Sequence, residues 1–368
     1  MGRAKFIVSG GGTGGHIFPA LSIADGLRNR FPDCEILFVG AEGKMEMERV
    51  PAAGYQIVGL PVAGFHRGEL WRNLAFIPRL IHSLLKAKKV VKDFHPDVVI
   101  GVGGYASGPV LRVAENLGIP TVLQEQNSFA GVTNKILGKK ANKICVAYEK
   151  MERFFPADKI VFTGNPIRKG LEAIALKSPE AKEYFNLVAD QQVILIVGGS
   201  LGARVLNQSV LAELELIRRS DVLVIWQTGK YYFQDIQKQL NANPVSNIRL
   251  LEFIPRMDLA YSLADVVISR AGAGTISELC AVGAAAILVP SPNVSEDHQT
   301  FNALSLVEKQ AAILVKDSAA VEDLIPAALA LLKNREKCLN LSANIRKLAT
   351  PNATSDIVEV IATLLNKG

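Results

Sequence analysis

Residues 264–292, ADVVISRAGAGTISELCAVGAAAILVPSP, constrain the fold more than any other stretch of the chain. The β-branched run at 266–268 predicts a short strand. Small residues fill 269–274, a helix is predicted to open over 275–279, and a second buried strand over 284–289 is stopped by Pro290 and Pro292. A strand, a glycine turn and a helix N-terminus in that order make an anion site, because the first amides of a helix have no internal partner. Glu278 is expected near the end of the first helical turn, where its carboxylate reaches sugar hydroxyls beside a phosphate held at the turn. The same residues also fit an ordinary βαβ crossover whose glycines only permit close packing. The rest of the chain has to decide.

The pattern recurs. Residues 4–9 read as a strand, followed by GGGTGGHIFPALSIADGLRNR, a glycine loop feeding an amphipathic helix. Gly10, Gly12 and Gly15 fit G-x-G-x-x-G, a weak signal alone. His16 stands at the predicted helix start, beside amides suited to an anion. Further strands are predicted over 35–40, 56–60, 96–101 and 120–124, the last two running into GVGGYASGP and EQNSFAGVTNK. Loops after successive strand ends describe a doubly wound sheet, whose ligands sit at the carboxyl ends of the strands. A strand over 160–168 ends in an Asn-Pro turn, and 171–192 is polar and irregular, as an interdomain linker would be. Residues 193–197 then begin again with a buried strand, a glycine turn (GGSLGARVLNQ) and a helix. Strands over 222–227, 248–253, 266–268, 286–289 and 312–315 continue a second sheet, and an amphipathic helix over 356–365 follows Pro351. With 368 residues, 49% of them apolar, the chain is long enough for two such domains.

Cys34, Cys145, Cys280 and Cys338 lie far apart with no CxxC pairing, which favours a reducing compartment and argues against a zinc site. The first strand begins too early to leave room for a signal peptide, and no apolar run nears the roughly 18–20 residues of a membrane span, so a cytoplasmic chain is expected. There is no D-x-D to hold a metal, and the adjacent Glu296, Asp297 and His298 are poorly spaced to converge on one ion. The net charge of +6 is compatible with an acidic substrate or a membrane surface. Residues 71–94 concentrate positive charge: Arg72, Arg79, Lys86, Lys88, Lys89 and Lys92 face only Asp93. Trp71, Leu74, Ile77, Leu80, Ile81, Leu84 and Leu85 supply apolar surface, several of them at helical spacing. Two readings fit, a core-packing helix with a solvated basic face or a helix lying on an anionic membrane.

Taken in order, GGTGGH (11–16), GGYASGP (103–109), EQNSFAG (125–131), GNPIR (164–168), GGSLGAR (198–204) and the 270–303 region closely resemble the MurG glycosyltransferases. The resemblance implies an α/β fold of the GT-B type, two Rossmann-like domains with parallel sheets facing a cleft. It divides the chain into an acceptor and membrane-facing domain (1–165), a domain that binds UDP-N-acetylglucosamine (166–350) and a C-terminal helix returning to the first domain (351–368). The implied reaction is inverting transfer of N-acetylglucosamine from UDP-N-acetylglucosamine to the muramoyl 4-hydroxyl of lipid I, giving lipid II of peptidoglycan.

By the same resemblance Thr13, Gly14 and Gly15 border the donor from the first domain, while Asn127 and Arg168 contact it. Ser200 is expected near the diphosphate, and Ile254 meets uracil through its backbone. Ala273, Gly274, Thr275 and Glu278 wrap the ribose and diphosphate, and Gln299 binds the sugar, with His298 and Asn302 offering further hydrogen bonds. Tyr105 and Ser107 fall in the acceptor loop. Three residues depart from other members: Gln124 stands where some have His, Leu201 replaces a glutamine, and His298 precedes Gln299 where others have a glutamine pair. His16 is the candidate base, since an unperturbed imidazole titrates near neutrality. No cofactor is expected to be required, a divalent cation at most assisting the diphosphate, and no nucleic acid partner is expected. The expected location is the cytoplasmic face of the cell membrane, reached peripherally through residues 71–94. Three rival classes are a dinucleotide oxidoreductase, resting on G-x-G-x-x-G and Glu42, a nucleotide-sugar epimerase, and a non-catalytic nucleotide-sugar-binding scaffold.

Overall fold

The structure is a computed structural model and describes residues 3–62, 76–168, 170–187, 191–199 and 201–365. The chain divides into two compact units, Met1–Arg168 with Asn352–Gly368, and Lys169–Pro351.

In the first unit, β-branched and aromatic runs form β1 (Lys5–Ser9), β2 (Glu35–Ala41), β3 (Gln56–Leu60), β4 (Val98–Gly101), β5 (Thr121–Glu125), β6 (Lys143–Val146) and β7 (Ile160–Phe162). They pair in parallel in the order β3-β2-β1-β4-β5-β6-β7. The order reverses between β1 and β4, the place where doubly wound sheets receive ligands. The helices between them are α1 (Gly14–Arg30), α2 (Glu46–Ala52), α3 (Phe76–Phe94), α4 (Ser107–Asn116) and α5 (Val132–Gly138). Side-chain alternation along the strands feeds two apolar layers. Phe6 and Val8 pack with Ala20, Ile23 and Leu27 of α1, while Ile7 packs with Ala87 and Val91 of α3 and Val110 of α4. Strand β7 is shorter than its predicted span, because Gly164 turns to φ 83° and Pro166 has no amide to donate.

The second unit repeats the plan. Strands β8 (Val193–Val197), β9 (Leu223–Gln227), β10 (Ile248–Leu251), β11 (Val266–Ser269), β12 (Ala286–Leu288) and β13 (Ile313–Leu314) are parallel in the order β10-β9-β8-β11-β12-β13. Helices α6 (Pro179–Tyr184), α7 (Arg204–Ala212), α8 (Leu214–Arg218), α9 (Phe233–Ala242), α10 (Met257–Leu263), α11 (Ala273–Val282), α12 (His298–Val307), α13 (Ala320–Lys333) and α14 (Arg335–Arg346) surround them. Residues 171–187 of the predicted linker are instead packed structure. Ser178 caps α6 by accepting from Ala181 N at 3.2 Å, with Pro179 in the first helical position, and Leu171, Ala181 and Phe185 are buried. Lys177 also pairs with Asp265 at 2.6 Å. The high polar content of the segment hid that cap.

The last helix, α15 (Ala353–Leu365), opens ahead of the predicted 356 and belongs to the first unit. Ile357, Val358 and Ile361 join the layer of α1, and Gly26 of α1 makes room for them. A Cβ at Gly26 would lie 2.8 Å from Thr354 Cγ2 and 2.9 Å from Val358 Cγ2. At about 1.5–3 kcal/mol for each fully buried aliphatic side chain, α15 is a core element rather than a tail. Among the described residues, no helix is long and apolar enough to cross a membrane.

Candidate active site

At the sheet reversal of the first unit three loops interlock. Gly103 and Gly104 follow β4 at φ 93° and 87°. A Cβ at Gly104 would overlap the Gly11 carbonyl, and one at Gly103 would lie 2.8 Å from His16 Nδ1, so both positions require glycine. His16 is the third residue of α1. Its Nδ1 lies 3.0 Å from Val102 O and 3.0 Å from Gln126 Oε1. A main-chain carbonyl can only accept, so Nδ1 carries the proton and the neutral ring has its lone pair at Nε2. That tautomer is the one a base needs.

Behind the ring lies a buried set of carboxamides. Gln126 Nε2 donates to Val102 O at 2.8 Å and to Gln124 Oε1. Gln124 Nε2 donates to Asn165 Oδ1 at 2.8 Å, and Asn165 Nδ2 donates to Gln126 O at 3.0 Å. Carboxamides do not titrate, so Gln124 orients its neighbours and moves no proton. Glu125, which the motifs did not single out, is 2% exposed and organises the next loop. Its Oε1 accepts from Asn127 N at 3.1 Å and Asn127 Nδ2 at 3.3 Å, and its Oε2 from Gly131 N at 3.2 Å and Asn134 Nδ2 at 2.9 Å. Thr13 is the exposed N-cap of α1, with Gly14 and Gly15 its first two residues. Arg168 is exposed with its guanidinium 5.7 Å from the Phe18 ring, and Tyr105 is also exposed. Ser107 does not face an acceptor. It is fully buried and donates to Gly104 O at 2.9 Å, so it shapes the loop.

In the second unit α11 opens at Ala273, earlier than the predicted 275. Gly272 is the extended N-cap, and Ile276 N donates to its carbonyl at 2.9 Å. Ala273, Gly274 and Thr275 are therefore the first three helical residues, whose amides have no carbonyl within the helix. Glu278 falls in the second turn, not the first. Its Oε2 accepts from the hydroxyl of Tyr261 at 3.1 Å, and Tyr261, on α10, is 2% exposed. Ile254 is buried between β10 and α10, and Leu201 is exposed. Ser200 lies outside the described residues. Gln299 Oε1 accepts from Ser291 N at 2.9 Å. His298 opens α12 half-buried. Asn302 is fully buried and donates to Ala271 O at 3.3 Å, an internal tie rather than a sugar contact. Burial pushes the thiols of Cys145 and Cys280 up to about 12, so both stay protonated and take no nucleophilic part. Among the described residues no group of three or more His, Cys, Asp or Glu could hold a metal ion.

Helix α3 has two apolar faces. Ala87 and Val91 are buried and Leu84 packs partly against them, whereas Ile77 (65%), Ile81 (53%) and Leu85 (63%) stand exposed. Lys88, Lys89 and Lys92 are exposed too, while Lys86 is paired with Glu42 at 2.7 Å. Trp71, Arg72 and Leu74 lie outside the described residues.

The glycosyltransferase family 28 N-terminal domain matches residues 6–146, and its C-terminal domain matches residues 193–359. A UDP-N-acetylglucosamine–N-acetylmuramyl-(pentapeptide) pyrophosphoryl-undecaprenol N-acetylglucosamine transferase of Parabacteroides distasonis is 56% identical over 367 residues, covering 100% of both chains. The enzyme of the same name from Bacteroides fragilis is 55% identical over 98% of this chain and 95% of its own. The crystal structure of Acinetobacter baumannii MurG superposes with a TM-score of 0.78 at 32% identity, covering 98% of this chain and 100% of that one.

Proposed function

The chain belongs to the MurG family of glycosyltransferases, within glycosyltransferase family 28, and from that premise we propose that it transfers N-acetylglucosamine from UDP-N-acetylglucosamine to N-acetylmuramyl-(pentapeptide) pyrophosphoryl-undecaprenol, lipid I, to give lipid II. The observation that carries this reading is that the likeness to transferases of that name runs the full length of both chains. In the reaction the muramoyl 4-hydroxyl attacks the anomeric carbon, the bond from that carbon to the diphosphate oxygen breaks, and the configuration inverts. His16 Nε2 takes the hydroxyl proton while Nδ1–H stays on Val102 O and Gln126 Oε1, so the imidazolium is held by two acceptors. The first amides of α11 meet the charge developing on UDP, and Glu278 accepts from the ribose hydroxyls. No step is routed through a metal, a divalent cation at most assisting the diphosphate.

The acceptor's undecaprenol tail keeps it in a bilayer, so the enzyme works at the cytoplasmic membrane surface. The exposed Ile77, Ile81 and Leu85 beside Lys88 and Lys89 support docking through α3. The test is transfer of radiolabel from UDP-N-acetylglucosamine to a lipid I analogue, with UDP-glucose as control. Labelled lipid II with the first donor alone is expected. Isotope exchange at the sugar without acceptor would make the protein an epimerase, and donor binding without turnover would make it a scaffold.

A further inference from the structure

Three motifs that lie far apart in the chain meet behind one imidazole. His16 comes from the first turn of α1, Gln124 and Gln126 from the end of β5 and the residue just past it, and Asn165 from the turn after β7. Gln126 lies between them at 2% exposure. Its Oε1 is 3.0 Å from His16 Nδ1, and its Nε2 donates to Val102 O, the second acceptor for that same Nδ1. The pattern has only one consistent assignment of donors. Val102 O accepts from both Nδ1–H and Nε2–H, so Gln126 must present its oxygen to the ring and its nitrogen to the carbonyl. Gln124 fixes that choice from the other side. Its Oε1 accepts from Gln126 Nε2, because its own Nε2 is committed to Asn165 Oδ1. Asn165 closes the circuit by donating to Gln126 O. A flipped Gln126 would set an N–H against Nδ1–H and an oxygen against two oxygens.

We propose that Gln126 is a positioning residue for His16: held in one orientation by Gln124 and Asn165, it adds a second acceptor to Val102 O on Nδ1–H, strengthens the hold on that proton and so presents Nε2 to the acceptor hydroxyl. The assignment of Nε2 to that hydroxyl rests on the reading of His16 as the base. The geometry also accounts for glutamine at 124, since a carboxamide both accepts from Gln126 and donates to Asn165, as the circuit requires.

The test uses the full-length protein with 15N-labelled histidine. Two-bond ring correlations in the wild type should show His16, when neutral, as the Nδ1–H tautomer, and an Nε2–H ring would overturn the proposal whether or not any variant folds. Gln126→Leu removes Oε1 from Nδ1 and leaves Val102 O in place. It should lower kcat about 3–10-fold, the effect of one neutral hydrogen bond, with donor KM unchanged, and should raise the share of the Nε2–H tautomer above the wild-type share. In a His16→Ala background the same substitution should cost nothing further. A loss that persists in that background would mean that Gln126 acts on general structure, and a tautomer ratio in Gln126→Leu equal to wild type would also overturn the proposal. A His16→Ala enzyme with unchanged kcat would remove the base reading instead, and the tautomer would still decide the role of Gln126.

Discussion

Each unit locks the glycine turn at its sheet reversal with a side chain from a neighbouring element, but the two locks differ in charge. In the first unit Gly12 N donates to Glu46 Oε2 at 2.9 Å, and Ala41 N holds Oε1 at 2.9 Å, with Glu46 fully buried. In the second unit Gly199 N donates to Gln227 Oε1 at 2.9 Å, and Gln227 Nε2 returns to Gly199 O at 2.8 Å and Glu252 O at 2.9 Å. A carboxylate behind a turn opposes any anion brought to its face. Two like charges about 8 Å apart repel by roughly 2 kcal/mol at an effective dielectric near 20, and a neutral carboxamide exerts no such force. On this electrostatic ground the second turn and α11 suit a diphosphate better than the first turn, which braces the start of α1.

The largest expected effect separates the units by kinetic parameter. His16→Ala should lower kcat by roughly 10²–10⁴ while donor affinity stays nearly constant. A loss expressed mainly in donor affinity would make the first turn a phosphate contact after all and break the contrast. Glu278→Ala should do the reverse, weakening UDP-N-acetylglucosamine binding by roughly 1–3 kcal/mol. Titration calorimetry on a folded variant measures it, and unchanged affinity would remove Glu278 from the donor site.

That contrast was not legible in the sequence, and the reason is specific. The two turns read alike, as strand, glycines and helix. The residues that set them apart, Glu46 and Gln227, stand 34 and 28 positions away and face the turns only after folding. Tyr261 was hidden because its partner Glu278 lies on another helix, and Glu125 because two of its four donors are backbone amides. Strand positions were legible because buried parallel strands are continuous β-branched runs, as at 193–197. Strand β6, with Lys143 at its start and four residues long, gave too short a run to register. The start of α11 was placed late because alanine and glycine in the first turn resemble loop.

The first unit also carries the exposed apolar and basic face of α3. Each basic side chain near an anionic leaflet contributes about 1 kcal/mol, so Lys88→Ala with Lys89→Ala should weaken binding to anionic vesicles by roughly 2 kcal/mol and more at low salt. Ile81→Ser with Leu85→Ser should weaken it independently of salt. Neither pair touches the buried face of α3, so both variants should fold. Co-sedimentation equal to wild type in both would remove α3 as the docking surface.

The smallest effect tests how finely the second unit is built. Tyr261 donates to one oxygen of Glu278 from a buried position on α10, so it restrains the carboxylate without standing where a ligand would bind. A hydrogen bond to a charged group is worth about 1.5–3 kcal/mol, but removing this one acts on a ligand only through the freedom that Glu278 gains. Tyr261→Phe should therefore weaken UDP-N-acetylglucosamine binding by about 0.5–1 kcal/mol and leave kcat at saturating donor unchanged. In a Glu278→Ala background the substitution should have no further effect on affinity, because the group it restrains is gone. Calorimetry on the four proteins of that cycle decides it. Additive losses would mean that Tyr261 supports the donor site through α10 packing rather than through Glu278. No loss in the single variant would mean that α11 alone sets the carboxylate.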